Sequence, residues 1–186
     1  MSTTTWRSAL ALPVSPTRDH IRGPVDAPLT LLEYGDYECP FCGVAHPIVK
    51  AVEAQLGNRL RFVFRHFPLT TVHPHAELAA EAAEAAGSQG AFWQMHDVLY
   101  ANQQHLEGPH LLVYAATLGL DINRFGNEVT EHAYLRKINE DFISGVRSGV
   151  NGTPTFYING ARHDGAWDYA SLLAALQQAA LTAAAA

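Results

Sequence analysis

The 186 residues, 48% of them apolar and 16% charged, are enough for one globular domain that buries its core without disulfides or metals, so the two cysteines are free for chemistry. Twelve basic against eighteen acidic side chains give a net charge of −6, which excludes a surface built to recruit phosphate backbones or anionic lipid. The longest largely apolar stretch, Leu111 to Leu120, is about half of what a bilayer crossing requires, so no transmembrane helix is expected.

At the N-terminus, Arg7 followed by Ser8-Ala9-Leu10-Ala11-Leu12-Pro13-Val14 matches a secretory leader only faintly. Pro13 interrupts the short apolar run, and no small-x-small cleavage site precedes Arg18-Asp19. Residues 1–18 read as an arm and 19–186 as a single domain. The expected compartment is the cytoplasm, with the periplasm or another extracytoplasmic space as the alternative if a leader has been removed.

Leu29 to Tyr34 is apolar enough for a strand buried on both faces, bounded by Pro28 and Gly35. Pro40 suits the first turn of a helix, and Val44, Ile48, Val49, Val52 and Leu56 recur at helical spacing until Gly57-Asn58. Leu60 to Phe67, rich in aromatic and β-branched residues, reads as a second strand, parallel to the first across a β-α-β crossover. From Pro68 to Thr153 the chain turns Ala-rich and helical. Glu77, Glu81 and Glu84 mark a solvated face opposite Leu78, Ala82 and Ala85, and further helices are expected through Ala91 to Ala101, Gly108 to Leu118 and Asn127 to Val146. Phe92, Trp93, Met95 and Tyr100 read as core of this block. Thr155 to Ile158, the turn pair Asn159-Gly160 and Ala161 to Asp164 form a hairpin, followed by a helix from a cap at Asp168 to about Leu181. The closing Ala183 to Ala186 is a tail expected to fray.

Cys39-Pro40-Phe41-Cys42 carries the chemistry. Two thiols three residues apart at a helix start close into a small reversible disulfide, with the first sulfur facing outward. Helix N-terminal amides stabilise a thiolate there, which makes Cys39 the nucleophile and Cys42 its resolving partner. A structural disulfide or half a zinc site has the same spacing, but no second CxxC exists, and the position inside a β-α-β unit is that of a redox dithiol. Glu33, a carboxylate in an apolar strand six residues earlier, is placed to sit behind the dithiol with a raised pKa and exchange a proton with Cys42; the alternative is a strand-end acid paired with Arg61 or Arg65. In Gly152-Thr153-Pro154-Thr155-Phe156 the proline cannot join a ladder, so a cis turn or strand start is expected. Without an N–H of its own, Pro154 would leave the Thr153 backbone free to pair with an extended segment.

Together, Glu33-Tyr34-Gly35-Asp36-Tyr37-Glu38-Cys39-Pro40-Phe41-Cys42, then Phe64-Arg65-His66-Phe67-Pro68-Leu69, then Gly152-Thr153-Pro154-Thr155-Phe156, resemble the DsbA-like branch of the thioredoxin superfamily. From about Asp19 to the final helix the resemblance implies an α/β thioredoxin fold, β-α-β then β-β-α, with a helical insertion over about residues 68–148. It also implies a protein thiol–disulfide oxidoreductase that needs no cofactor. Cys39, Cys42, Glu33 and Pro154 are its expected catalytic residues, with Thr153, Pro40 and Phe41 facing substrate. Its expected partners are thiol- or disulfide-containing proteins and a redox recycling partner. One departure stands out: strongly oxidising members carry His directly before the second cysteine, where this chain has Phe41.

Outside the motif, His73-Pro74-His75 reads as surface or capping histidines and His46 as a solvent-facing residue on the Cys42 helix, so no metal is expected. Two alternatives to the enzyme remain: a binding or chaperone-like module whose cysteine pair is structural, and a glutathione-using relative.

Overall fold

The chain, described over residues 9–184 in a computed structural model, is built on a five-stranded sheet. The first eight residues of the expected arm and the last two of the expected tail lie outside the described residues. The strands are β1 (His20–Arg22), β2 (Leu29–Gly35), β3 (Leu60–His66), β4 (Thr155–Ile158) and β5 (Ala161–His163), ordered β1-β3-β2-β4-β5. β2 and β3 are parallel and are joined through α1 (Pro40–Leu56); the other three pairings are antiparallel. Asn159 and Gly160 both take positive φ in the β4–β5 turn, the conformation that a two-residue hairpin matched to strand twist requires.

Between β3 and β4 lie α2 (Ala76–Gly87), α3 (Phe92–Ala101), α4 (Gly108–Thr117), α5 (Ile122–Thr130) and α6 (Leu135–Ser148); α7 (Tyr169–Ala184) ends the described chain. The mixed α/β architecture is that of a thioredoxin fold.

β2 is buried along its whole length because both faces of the sheet are covered. On one face Leu29 and Leu31, with Phe62, Phe64, Phe156 and Ile158 of neighbouring strands, pack against Ala45, Val49 and Val52 of α1, Met95 and Leu99 of α3, and Leu172 and Leu176 of α7. On the other, Leu32, Tyr34, Val63 and Tyr157 meet Phe67, Phe142 of α6, and Leu10 and Val14 of the N-terminal segment. Side chains alternate along a strand, so Glu33 falls on the α1 face with Leu31, aligned with Phe64 on one side and Phe156 on the other.

One strand has no counterpart in the sequence reading, and two expectations about elements are corrected. β1 is too short to show a period, and its existence depends on pairing with β3. The helix expected over Asn127 to Val146 is two helices, because His132 adopts φ 54° and thereby brings its Nδ1 to the Glu81 carboxylate at 3.0 Å. Glu81 and Glu84 are not a solvated face; they are 1% and 6% exposed, since α2 is covered on that side as well. Glu84 accepts hydrogen bonds from Nε2 of His20 at 2.9 Å and of His66 at 2.8 Å, the long-range partners that make its burial tolerable.

Candidate active site

Pro40 opens α1 at its first turn and Cys39 is the N-cap residue, so a single helical turn brings Cys42 back beside it. The loop before the dithiol is organised by Asp36, whose carboxylate accepts from the Glu38 N–H, the Leu69 N–H and His73 Nδ1, each at 2.8 Å. Its backbone carbonyl accepts from the Cys39 N–H at 3.2 Å. From the far side the Gln103 amide donates to the carbonyls of Tyr37 at 2.9 Å and Cys39 at 2.8 Å. Gly43 makes room for that clamp: a Cβ there would lie 2.0 Å from Gln103 Oε1.

The Cys39 sulfur does not face outward as expected. The residue is 3% exposed, because the 153–154 loop covers it: the thiol donates to the Thr153 carbonyl at 3.4 Å, and the Thr153–Pro154 peptide is cis. Phe41 and Val44, three apart on α1, are 65% and 57% exposed and form the apolar surface beside the dithiol.

Electrostatics separates the two thiols. The Cys39 pKa is lowered to about 5, first because the Cys42 thiol donates a hydrogen bond to its sulfur, which outweighs the opposing effect of burial, and then through lesser contributions of the Thr153 side chain and the backbone N–H groups of Cys42 and Phe41. Thr153 Oγ1 is buried with no other partner, which leaves it available to the thiolate. Burial pushes the Cys42 thiol well above the usual range, reinforced by that same hydrogen bond and by the Glu33 charge. Glu33, 2% exposed and with Oε1 unpartnered, is raised to about 8, mainly by desolvation and secondarily by the nearby Cys39 charge. Its alternative reading, an ion pair with Arg61 or Arg65, is not realised: Arg61 donates to Thr30 Oγ1 and Arg65 to Asp19, on the other face of the sheet. Among the described residues, neither cysteine belongs to a group of three or more metal-ligating side chains.

The structure therefore gathers Cys39, Cys42, Thr153 and Glu33 around one end of β2, with Pro40 in the helix turn and Phe41 at the surface. Residues that the sequence did not single out complete the surroundings. Gln103 and Asp36 hold the loop by long-range bonds with no local signature. Tyr37 is fully buried, its hydroxyl 3.0 Å from His96 Nδ1. His46 is turned inward, stacked on Tyr100 at 4.9 Å between ring centroids and 3.2 Å from Asp97, which corrects its solvent-facing assignment.

Thioredoxin is the family whose pattern matches residues 15–178. The chain belongs to the thioredoxin family. BdbD from Bacillus subtilis, in its oxidised form, superposes with a TM-score of 0.83 at 21% identity, covering 94% of this chain and 99% of that one. A thioredoxin-like oxidoreductase from Silicibacter pomeroyi gives 0.78 at 26% identity over 92% and 95% of the two chains. Wolbachia pipientis alpha-DsbA1 gives 0.79 at 19% identity over 95% and 96%. The fold is thus the DsbA-like form of the thioredoxin family.

In sequence, the chain is 51% identical over 170 residues to the Na(+)/H(+) antiporter NhaA 1 of Salinispora arenicola, a match that covers 91% of this chain and 26% of that protein. This chain spans about a quarter of the length of such curated relatives. These findings correct the expected cytoplasmic location, since relatives at 48–51% identity are named as Na(+)/H(+) antiporters, which points away from the cytoplasm. The composition of residues 7–19 bears only on a leader within that stretch, and so could not register relatives of this kind.

Proposed function

We propose that this chain is a thiol–disulfide oxidoreductase acting on protein or small-thiol substrates through Cys39 and Cys42. The observation that carries the reading is the opposed tuning of two adjacent thiols, one held as a thiolate with a pKa of about 5 and the other kept protonated by burial. Likeness to the Silicibacter pomeroyi oxidoreductase supports it. The ion exchange named for the sequence relatives is not carried over, because the match covers about a quarter of those proteins and, among the described residues, no helix is long and apolar enough to cross a membrane.

In the oxidised protein, a substrate thiolate attacks the Cys39 sulfur, the Cys39–Cys42 bond breaks, and its electron pair leaves on Cys42. That sulfur takes a proton from Glu33, which is protonated near neutral pH. A second substrate thiolate then attacks the mixed disulfide at the substrate sulfur and expels Cys39 as a stabilised thiolate, so the substrate leaves oxidised and the protein reduced by two electrons. A low pKa for Cys39 favours the reduced protein and this direction of exchange. Phe41 supplies no charge to the thiolate; the Cys42 thiol, the Thr153 hydroxyl and the helix-end amides do. Exposed Phe41 and the Thr153 backbone are the surfaces assigned to substrate.

The test uses cysteine variants with a disulfide-bonded protein substrate. Cys39→Ser abolishes exchange, and Cys42→Ser accumulates mixed disulfides through Cys39, visible by non-reducing electrophoresis. The reverse pattern would overturn the assignment of roles.

A further inference from the structure

We propose that His105, Glu107 and His110 form a binding site for a divalent first-row transition-metal cation, next to the polar cavity that Glu107 and Pro40 help to line. The inference stands on the fold and is independent of the redox reading. One ligating atom from each of the three side chains lies within 4.8 Å of the others, and the two imidazole centroids are 5.0 Å apart. Two imidazoles and one carboxylate suit zinc, iron, nickel or copper better than the all-oxygen sets preferred by magnesium and calcium.

The backbone presents these groups from a fixed turn. His105 N–H donates to the Asn102 carbonyl at 2.8 Å, and the Tyr114 hydroxyl donates to the His105 carbonyl at 2.9 Å. His110 and Leu111 N–H donate to the Glu107 carbonyl at 2.9 and 3.2 Å. Glu107 occupies the N-cap of α4, yet its side chain makes no cap bond; the carboxylate instead accepts from His110 Nδ1 at 3.0 Å. Among the described residues no lysine or arginine pairs with it, so its charge is left for a cation. All three side chains are exposed, and a cation reaches them from solvent.

The adjoining cavity, of about 370 Å³, is lined by Glu38, His73, His75 and Glu107 among others. His75, on the wall of that cavity, uses Nδ1 to donate to Glu38 at 2.9 Å.

A second cluster, His46, His96 and Asp97, is as closely gathered but already carries its positive charge. Lys50 Nζ lies 2.6 Å and Arg22 3.5 Å from the Asp97 carboxylate, and His96 is fully buried against the Tyr37 hydroxyl. Two fixed cations repel a third. At His105, Glu107 and His110 there is no such competitor. A cation bound there would also fasten the segment whose Gln103 amide holds the Tyr37 and Cys39 carbonyls, tying metal occupancy to the dithiol loop.

The experiment titrates untagged full-length protein with zinc chloride by calorimetry near neutral pH. Cys39→Ser and Cys42→Ser are present throughout, so that no thiolate can ligate. One equivalent is expected to bind with micromolar affinity, and His105→Ala with His110→Ala should weaken it by about tenfold or more while the circular dichroism stays unchanged. Should that variant lose its helical signal, His110→Gln alone is held to the same threshold. No saturable binding at millimolar zinc, or a loss of affinity below that threshold, overturns the site.

Discussion

Cys39 and Cys42 carry the same functional group three residues apart, and their surroundings drive them in opposite directions. Around Cys39 are donors: the Cys42 thiol, Thr153 and the first N–H groups of α1. Around Cys42 are apolar atoms and a carboxylate. Alkylation of reduced protein by iodoacetamide should therefore show a single fast thiol whose rate titrates with a midpoint near pH 5. Thr153→Val keeps the shape and the backbone carbonyl but removes one donor, so the midpoint should rise; an unmoved midpoint would leave the Cys42 thiol and the helix-end amides as sufficient causes. Glu33 is the complementary case. Buried in line with Phe64 and Phe156, it holds its proton up to about pH 8 and can pass it to Cys42 at neutral pH. Glu33→Gln preserves volume and removes the titration, so turnover should slow by about 10²-fold or more and lose its pH dependence between 5 and 8. A profile identical to that of the unmodified protein would reduce Glu33 to a structural residue.

At the scale of elements, β3 is the strand on which distant parts of the chain converge. Arg65, with no exposed side-chain surface, donates to both Asp19 oxygens at 2.9 and 3.0 Å, to the carbonyls of Leu12 and Pro13, and to the Tyr34 hydroxyl. Burial pushes the Asp19 carboxyl up, but Arg65 holds it below its ordinary value. Arg65→Met should then cost about 3 kcal/mol in urea unfolding, because buried Asp19 keeps only Arg18, at 2.7 Å, as counter-charge; adding Asp19→Leu should recover part of that loss. If the single variant were as stable as the parent, the clamp would not be holding the N-terminal segment to the sheet. This clamp also marks the limit of what a sequence exposes. β2, α1 and the Asn159-Gly160 turn are legible because their signals are local: an apolar run, a helical period, a turn pair. Cys39, Cys42 and Thr153-Pro154 are legible because dithiol spacing and an ill-placed proline each have a chemical reason. Asp19 with Arg65, Gln103 with Cys39, and His66 with Glu84 are not, since the partners stand 46, 64 and 18 residues apart and meet only after folding. For the same reason Glu84 reads as a solvated acid, although its histidine partners hold it, against burial, well below the carboxylate range.

For the whole molecule, Cys39 and Glu33 couple redox state to stability, with opposite signs in pH. Cys39 has a folded pKa of about 5 against 9.0 for a free thiol, so its contribution to the reduced fold is complete above pH 9 and is lost as pH falls through 5. Glu33 has a folded pKa of about 8 against 4.5, so the fold is favoured by its protonation below 4.5 and loses that advantage as pH rises through 8. Each has a limiting slope of about 1.4 kcal/mol per pH unit in its window. Between pH 5 and 8 the two slopes offset each other in reduced protein, so what slope remains there comes from other groups, such as buried His96, which is held well below its ordinary value and favours the fold as pH rises toward 6.5. Oxidised protein has no Cys39 thiolate, so of the two it keeps only the Glu33 slope, and above about pH 6.5, where His96 is neutral in the unfolded chain as well, it should weaken toward alkaline pH. Urea unfolding of the two redox forms across pH 5 to 8 measures this directly: the stability of the reduced form relative to the oxidised one should grow with pH, and Glu33→Gln should flatten the oxidised curve. A reduced-minus-oxidised difference constant across that range would mean that Cys39 titrates alike in the folded and unfolded chain, and the donor cage around its sulfur would then have no energetic consequence.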